Sequence, residues 1–127
     1  MLSVVVPVYN EQEVLPEFHR RLSAVLDSLP IVAEIIYVND GSRDLTLEQL
    51  RRLKDLDGRV TLIDLSRNFG KEIAMTAGLD HAMGEAVVII DADLQDPPEL
   101  IPRLLEEWKH GHDVVYAKRN SRVGRRR

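Results

Sequence analysis

Apolar residues in this chain alternate between two rhythms, short unbroken runs and longer stretches spaced by three and four. Ser3-Val4-Val5-Val6-Pro7-Val8 is such a run, the pattern of a strand covered on both faces. Pro7 is expected to mark its end, because proline cannot donate to a central ladder. Val14, Leu15, Phe18, Leu22, Val25, Leu26 and Leu29 then paint one face of a helix. Pro16 sets its start near residue 13 or 14, where a missing N–H costs little, and Pro30 closes it. Ile35-Ile36-Tyr37-Val38 predicts a second buried strand. Leu47, Leu50, Leu53 and Leu56 step along a second helix, opened by a capping box at Thr46-x-x-Gln49 and stopped near Gly58.

The alternation continues. A third strand is expected over Val60 to Leu65, and an alanine- and methionine-rich helix able to pack closely follows, reaching Met83 before Gly84. Ala86-Val87-Val88-Ile89-Ile90 is the most apolar strand candidate. Asp96-Pro97-Pro98-Glu99 has the form of a cap, first-turn prolines and reciprocal glutamate for a fourth helix, which Gly111 follows. Val114-Val115-Tyr116-Ala117 is a fifth strand. The order βαβαβαβαβ implies an α/β fold with a mainly parallel sheet and helices on both faces.

In such sheets ligands bind beyond the carboxyl ends of the strands. Those ends carry Tyr9-Asn10-Glu11, Asn39-Asp40-Gly41-Ser42, Ser66-Arg67-Asn68-Phe69-Gly70-Lys71 and Asp91-Ala92-Asp93. Ordinary loop polarity accounts for Ser42, Asp44 and Ser66, but less well for Asp91 and Asp93. Two carboxylates one residue apart, at about 5 Å and an effective dielectric near 20, repel by roughly 3 kcal/mol. A hard divalent cation, Mg²⁺ or Mn²⁺, offsets that cost, and Mg²⁺ completes its shell with water and substrate phosphates. The expected ligand is therefore a nucleoside diphosphate or related phosphate ester. The first strand is followed by neither GxxxxGK nor GxGxxG, against a P-loop NTPase or a dinucleotide oxidoreductase. Asp40 either accepts hydrogen bonds from a nucleoside or simply opens an Asp-Gly turn. His19, His81, His110 and His112 form no legible catalytic arrangement, and Trp108 and Met75 are read as packing.

Composition narrows the classes further. The 127 residues suit one domain, 44% apolar content supports a core, and the absence of cysteine excludes disulfides, thiolate metal sites and a cysteine nucleophile. Residues 1–117 carry 11 bases and 21 acids, net −10, a poor surface for nucleic acid. Residues 118–127 carry six bases and no acid, expected to be a solvated or artificial end unless they contact phosphate or anionic lipid. No apolar run approaches the roughly 18 residues of a membrane span, and no signal peptide is evident, so the residues present read as cytoplasmic.

Taken together, the segments Val4 to Glu11, Val38 to Asp44, Ser66 to Glu72 and Asp91-Ala92-Asp93-Leu94-Gln95-Asp96-Pro97-Pro98-Glu99 resemble the glycosyltransferase family 2 enzymes of GT-A fold. Within that family they are most similar to the polyprenyl-phosphate sugar transferases, the group of dolichyl-phosphate mannose synthase and bactoprenol glucosyltransferase. The resemblance runs from residue 2 to about 122. It implies that Pro7, Tyr9 and Glu11 contact the nucleoside and Asp40 the base. Asp91, Ala92, Asp93 and Gln95 match the segment for metal and diphosphate, with Asp93 the foremost ligand of Mg²⁺ or Mn²⁺. Lys71 and Arg119 match basic positions near the phosphates, Gln95 and Arg119 lying toward diphosphate or sugar.

The implied reaction is inverting transfer from a nucleoside-diphosphate sugar, UDP-sugar before GDP-sugar, to a polyprenyl phosphate. The implied parent enzyme is membrane-associated and works at the cytoplasmic face of the inner (plasma) membrane, with its oligomeric state left open. No general base is identified. Relatives continue past the fifth strand, so residues 1–117 are expected to be a nucleotide-sugar-binding core. Residues 118–127 are then a basic segment leading to a missing acceptor half. The competing expectations are a nucleotide-binding fragment without transferase activity, and a phosphohydrolase or phosphoreceiver domain.

Overall fold

A computed structural model describes residues 1–109 in full, together with the backbone of residues 114–118 and 121–125. The elements follow the expected alternation: β1 (Leu2–Val8), α1 (Leu15–Ser28), β2 (Ala33–Asn39), α2 (Thr46–Leu56), β3 (Val60–Asp64), α3 (Lys71–His81), β4 (Ala86–Ile89), a 3₁₀ turn (Pro98–Leu100) running into α4 (Ile101–Lys109), then β5 (Val114–Lys118) and β6 (Ser121–Arg125). The described residues form one sheet in the order β3-β2-β1-β4-β6-β5. β1, β2, β3 and β4 are parallel, and β6 is antiparallel to both β4 and β5.

β1 is buried along its whole length, and its alternating side chains separate two cores. Val4, Val6 and Val8 join Leu15, Phe18 and Leu22 of α1, Leu50 of α2 and Leu104 of α4 on one face. Val5 joins Ile36, Val38, Ala74 and Ile89 on the other, against α3. Gly78 is what lets α3 lie so close: a Cβ there would meet Val5 Cγ1 at 2.4 Å.

Several details differ from the sequence pattern. Pro7 is one residue inside β1 and pairs with Val38. Its missing N–H costs nothing, because Val5 bonds toward β4 and Val8 toward β2, so Pro7 faces the β4 side, beyond the Val5–Ile89 pair where that ladder ends. The capping box does not form. Leu45 is the N-cap of α2 without a side-chain bond, and the Thr46 hydroxyl accepts the Glu11 N–H at 2.9 Å instead. Asp96 is not a helix cap either: Pro97 stands at that position, Asp96 is buried, and Glu99 pairs with Arg21. The fifth strand exists but lies at the sheet edge, separated from β4 by β6, which the sequence pattern does not predict. The backbone of 121–125 in the basic segment is thus sheet rather than a solvated end.

Behind the sheet, a polar knot joins α1, β2 and the turn before β3. His19 Nδ1 shares a hydrogen bond with the Tyr37 hydroxyl at 2.7 Å, and Nε2 meets Asp57 Oδ2 at 3.1 Å. Arg59 donates to both oxygens of Asp57, to Asp27 and to Ser23. Its hydrogen bonds hold the Asp57 carboxyl down to about 2, while burial lowers the His19 imidazole against the opposing pull of Asp57. In both cases the unfolded chain binds more protons, so acid destabilises the fold. The contribution of Asp57 is complete above its ordinary value of 3.8 and disappears as pH falls to about 2. Urea midpoints followed over that range should fall more steeply for the wild type than for Asp57→Asn.

Candidate nucleotide-binding site

β1 lies between β2 and β4: the chain winds from β1 through β2 to β3 in one direction and then crosses back to β4 on the other side, so the strand order reverses at β1 and opens a crevice at its carboxyl end. A cleft of about 250 Å³ occupies this position, lined by Pro7, Val8, Tyr9, Glu11, Asp40, Lys71, Asp91, Ala92 and Asp93. Every residue that the resemblance assigns to the nucleotide is on this wall. Val8 joins them as the one lining residue the sequence does not single out. Gln95 is exposed and absent from the lining, and its N–H donates to Asp93 Oδ1 at 3.0 Å. Arg119, His110 and His112 lie outside the described residues.

The wall is built by loops that brace one another. After β1, Asn10 adopts a left-handed φ of 51°, tolerable for asparagine, and its Oδ1 accepts the Arg43 N–H at 2.8 Å. Asn10 N–H donates to Ser42 Oγ, Glu11 N–H to Thr46 Oγ1, and Leu45 N–H to Gln12 Oε1. Ser42 and Thr46 therefore fix the backbone that carries Tyr9 and Glu11. After β2, Asp40 is buried and accepts the N–H of Phe69 on Oδ1 at 2.8 Å and of Gly70 on Oδ2 at 3.1 Å. Beyond β4, Leu94 holds a φ of 65°, costly for a leucine, in the segment that carries Asp91 and Asp93.

Negative charge concentrates here. Burial raises the Asp91 carboxyl, Lys71 opposes that rise, and Asp93 and Asp96 add to it. Lys71 Nζ lies 2.5 Å from Asp91 Oδ2. Glu11 is raised first by burial and then by Asp93 and Asp91. Asp96 is 1% exposed, and its Oδ1 has no hydrogen-bond partner among the described residues. Among the described residues no three His, Cys, Asp or Glu side chains are grouped to hold a metal ion. The donor set fits a hard cation of the Mg²⁺ type, which takes one or two carboxylates and finds its remaining oxygens in water and substrate.

The comparisons decide the family. The profile described as glycosyl transferase family 2 matches residues 3–127. The chain belongs to this family. It is 55% identical over 122 residues to the Bacillus subtilis (strain 168) protein named uncharacterized glycosyltransferase YkcC, covering 96% of this chain and 38% of that one. It is 48% identical over 121 residues to the bactoprenol glucosyl transferase of Shigella phage SfV, covering 95% and 39%. Its fold is that of GT-A glycosyltransferases: the mannosyltransferase PcManGT of Pyrobaculum calidifontis, solved with GDP-Man and Mn²⁺, superposes with a TM-score of 0.71 at 30% identity, over 83% of this chain and 31% of that one. The chain thus spans less than two-fifths of the first relative and of the solved enzyme. A phosphohydrolase or phosphoreceiver domain has no support from these matches. Among the described residues no helix is long and apolar enough to cross a membrane.

The crowding of carboxylates is directly measurable. In metal-free protein the Glu11 carboxyl, followed by ¹³C NMR, should titrate above 4.5, and Asp93→Asn should bring it back toward that value without removing the part due to burial.

Proposed function

We propose that this chain is the donor-binding part of a metal-dependent, inverting glycosyltransferase. It takes its sugar from a nucleoside diphosphate, UDP-sugar before GDP-sugar, and its acceptor is a polyprenyl phosphate at the cytoplasmic face of the plasma membrane. The observation that carries this reading is the cleft at the carboxyl ends of β1, β2 and β4, where Tyr9, Glu11, Asp40, Lys71, Asp91 and Asp93 converge. The relatives' names and the GDP-Man and Mn²⁺ bound by PcManGT support the choice of donor class, metal and acceptor.

The nucleoside lies along Pro7, Tyr9 and Glu11, on backbone already braced by Ser42 and Thr46. The diphosphate extends toward Asp91, Ala92 and Asp93. Asp93 and Asp91 are the residues to hold Mg²⁺ or Mn²⁺, with Gln95 at the margin, and the bound ion would neutralise charge on the departing diphosphate. Lys71, which meets Asp91 in the same cleft, supplies a second positive charge, and Arg119 is assigned to the same diphosphate or sugar region.

Direct displacement inverts the anomeric centre, so the acceptor oxygen must approach opposite the leaving group. A lipid phosphate suits a site without an assigned general base, because the second pKa of a phosphomonoester is about 6 and its oxygen is already anionic at neutral pH.

Calorimetric titration with UDP, GDP and their sugars, with and without Mn²⁺, tests the reading. One nucleotide should bind with Mn²⁺ present, and Asp93→Asn should weaken it by about tenfold, or about 1.4 kcal/mol, in a folded protein. A folded wild type that binds none of them overturns the proposal. Transfer of sugar to a short-chain polyprenyl phosphate separates an active transferase from a domain that only binds its donor.

A further inference from the structure

We propose that Lys71 is a built-in counter-ion that competes with the divalent cation for Asp91, so that the cleft takes the cation well only when a diphosphate draws Lys71 away. This rests on the cleft being a nucleoside diphosphate site. Lys71 Nζ meets Asp91 Oδ2 at 2.5 Å, and the N–H of Gln95 donates to Asp93 Oδ1 at 3.0 Å. Both carboxylates assigned to the cation therefore already hold a donor. Among the described residues that line the cleft, Lys71 is the one base, set against Glu11, Asp40, Asp91 and Asp93. To take a divalent ion, Asp91 and Asp93 must either give up that ammonium or hold two cations side by side, and both cost affinity. Spare lone pairs on Asp91 do not remove the conflict, because the repulsion is between the cations themselves.

Lys71 is able to leave without disturbing the fold. Its root is fixed: it is the first residue of α3, and the loop before it touches the turn after β2 backbone to backbone, where a Cβ on Gly41 would fall 2.2 Å from Asn68 N and 2.3 Å from Arg67 C. Its side chain is 44% exposed, against 15% for Asp91. Release from Asp91 is then a rotation of a flexible four-carbon stem and needs no movement of α3. A diphosphate offers the ammonium another anion and supplies oxygens that complete the shell of a hard cation. Cation and nucleotide thus help each other bind, and by linkage each raises the affinity for the other by the same factor.

Two titrations test the proposal: Mn²⁺ alone, read by electron paramagnetic resonance of the free ion, and UDP at saturating Mn²⁺, or GDP if guanine is the base that binds. Lys71→Met should tighten Mn²⁺ alone by about fivefold and weaken UDP by about tenfold, opposite signs from one substitution. Arg67 stacks on the Phe69 ring in the same loop, outside the cleft lining, and Arg67→Met should change Mn²⁺ affinity by less than about twofold. Mn²⁺ affinity that is unchanged or weaker in Lys71→Met overturns the proposal even where UDP is weakened, and leaves Lys71 as a phosphate contact only. Equal tightening by Arg67→Met also overturns it, in favour of a general field effect. A wild type that binds Mn²⁺ but neither nucleotide overturns the functional reading and this inference with it. Should Lys71→Met fail to fold, NMR of the wild-type ammonium decides. The Lys71 ¹⁵Nζ resonance should be visible and slow to exchange in metal-free protein and should move or vanish as Mg²⁺ is added, and a resonance that Mg²⁺ leaves untouched refutes the competition.

Discussion

β1 must be apolar on both faces, and the placement of nearly everything else follows. Its even-numbered side chains belong to one core and Val5 to the other, and no polar side chain larger than Ser3 stands between Leu2 and Val8. Neighbouring β2 and β4 share the constraint over their buried segments. Charged groups are thereby driven off the strands and onto their carboxyl ends. There three strands terminate close together, and the carboxylates that cannot be buried in the sheet accumulate around one cleft. Electrostatic crowding at Glu11, Asp91 and Asp93 is thus a product of the fold as much as of the local motif.

The cost of that crowding is met unevenly. Lys71 engages Asp91, while Glu11 is left with its proton affinity raised by burial and by the two aspartates. Asp96 adds, close to the same group, a buried oxygen with no partner among the described residues. Leu94 holds an unfavourable backbone angle between them. Strain and unmet charge in one segment, next to well-satisfied polar groups such as the His19–Asp57–Arg59 knot at the back of the sheet, mark where the chain is organised around something other than its own stability.

The succession of elements is legible from the chain because each depends on a local period, alternation of burial in strands and a three-to-four spacing in helices. The cleft is legible too, since the ends of buried parallel strands are known once the strands are. What escapes is settled across long separations. Thr46 and Gln49 have the spacing of a capping box, yet the Thr46 hydroxyl serves Glu11, 35 residues away, and the Gln49 amide serves Gln12. Asp96 has the form of a cap, but tertiary packing turns it inward. Ser121–Arg125 shows no apolar alternation, and its backbone becomes a strand through pairing with β4 and β5. The residues that resemble nucleotide contacts do meet in space. The pinning of Phe69 and Gly70 by Asp40 is a tertiary fact that no motif spells out.

The loops after β1 and β2 are cross-stitched by at least four hydrogen bonds from Asn10, Glu11 and Gln12 to Ser42, Arg43, Leu45 and Thr46. A surface so fixed before any ligand arrives forfeits little conformational entropy on association. Its encounter rate is set by diffusion and by the long-range field of the cleft rather than by loop closure. That field is dominated by carboxylates and opposes a polyanionic ligand. Salt should therefore quicken, not slow, the approach of a nucleotide to the bare protein, the reverse of the behaviour of phosphate sites built from arginine and lysine.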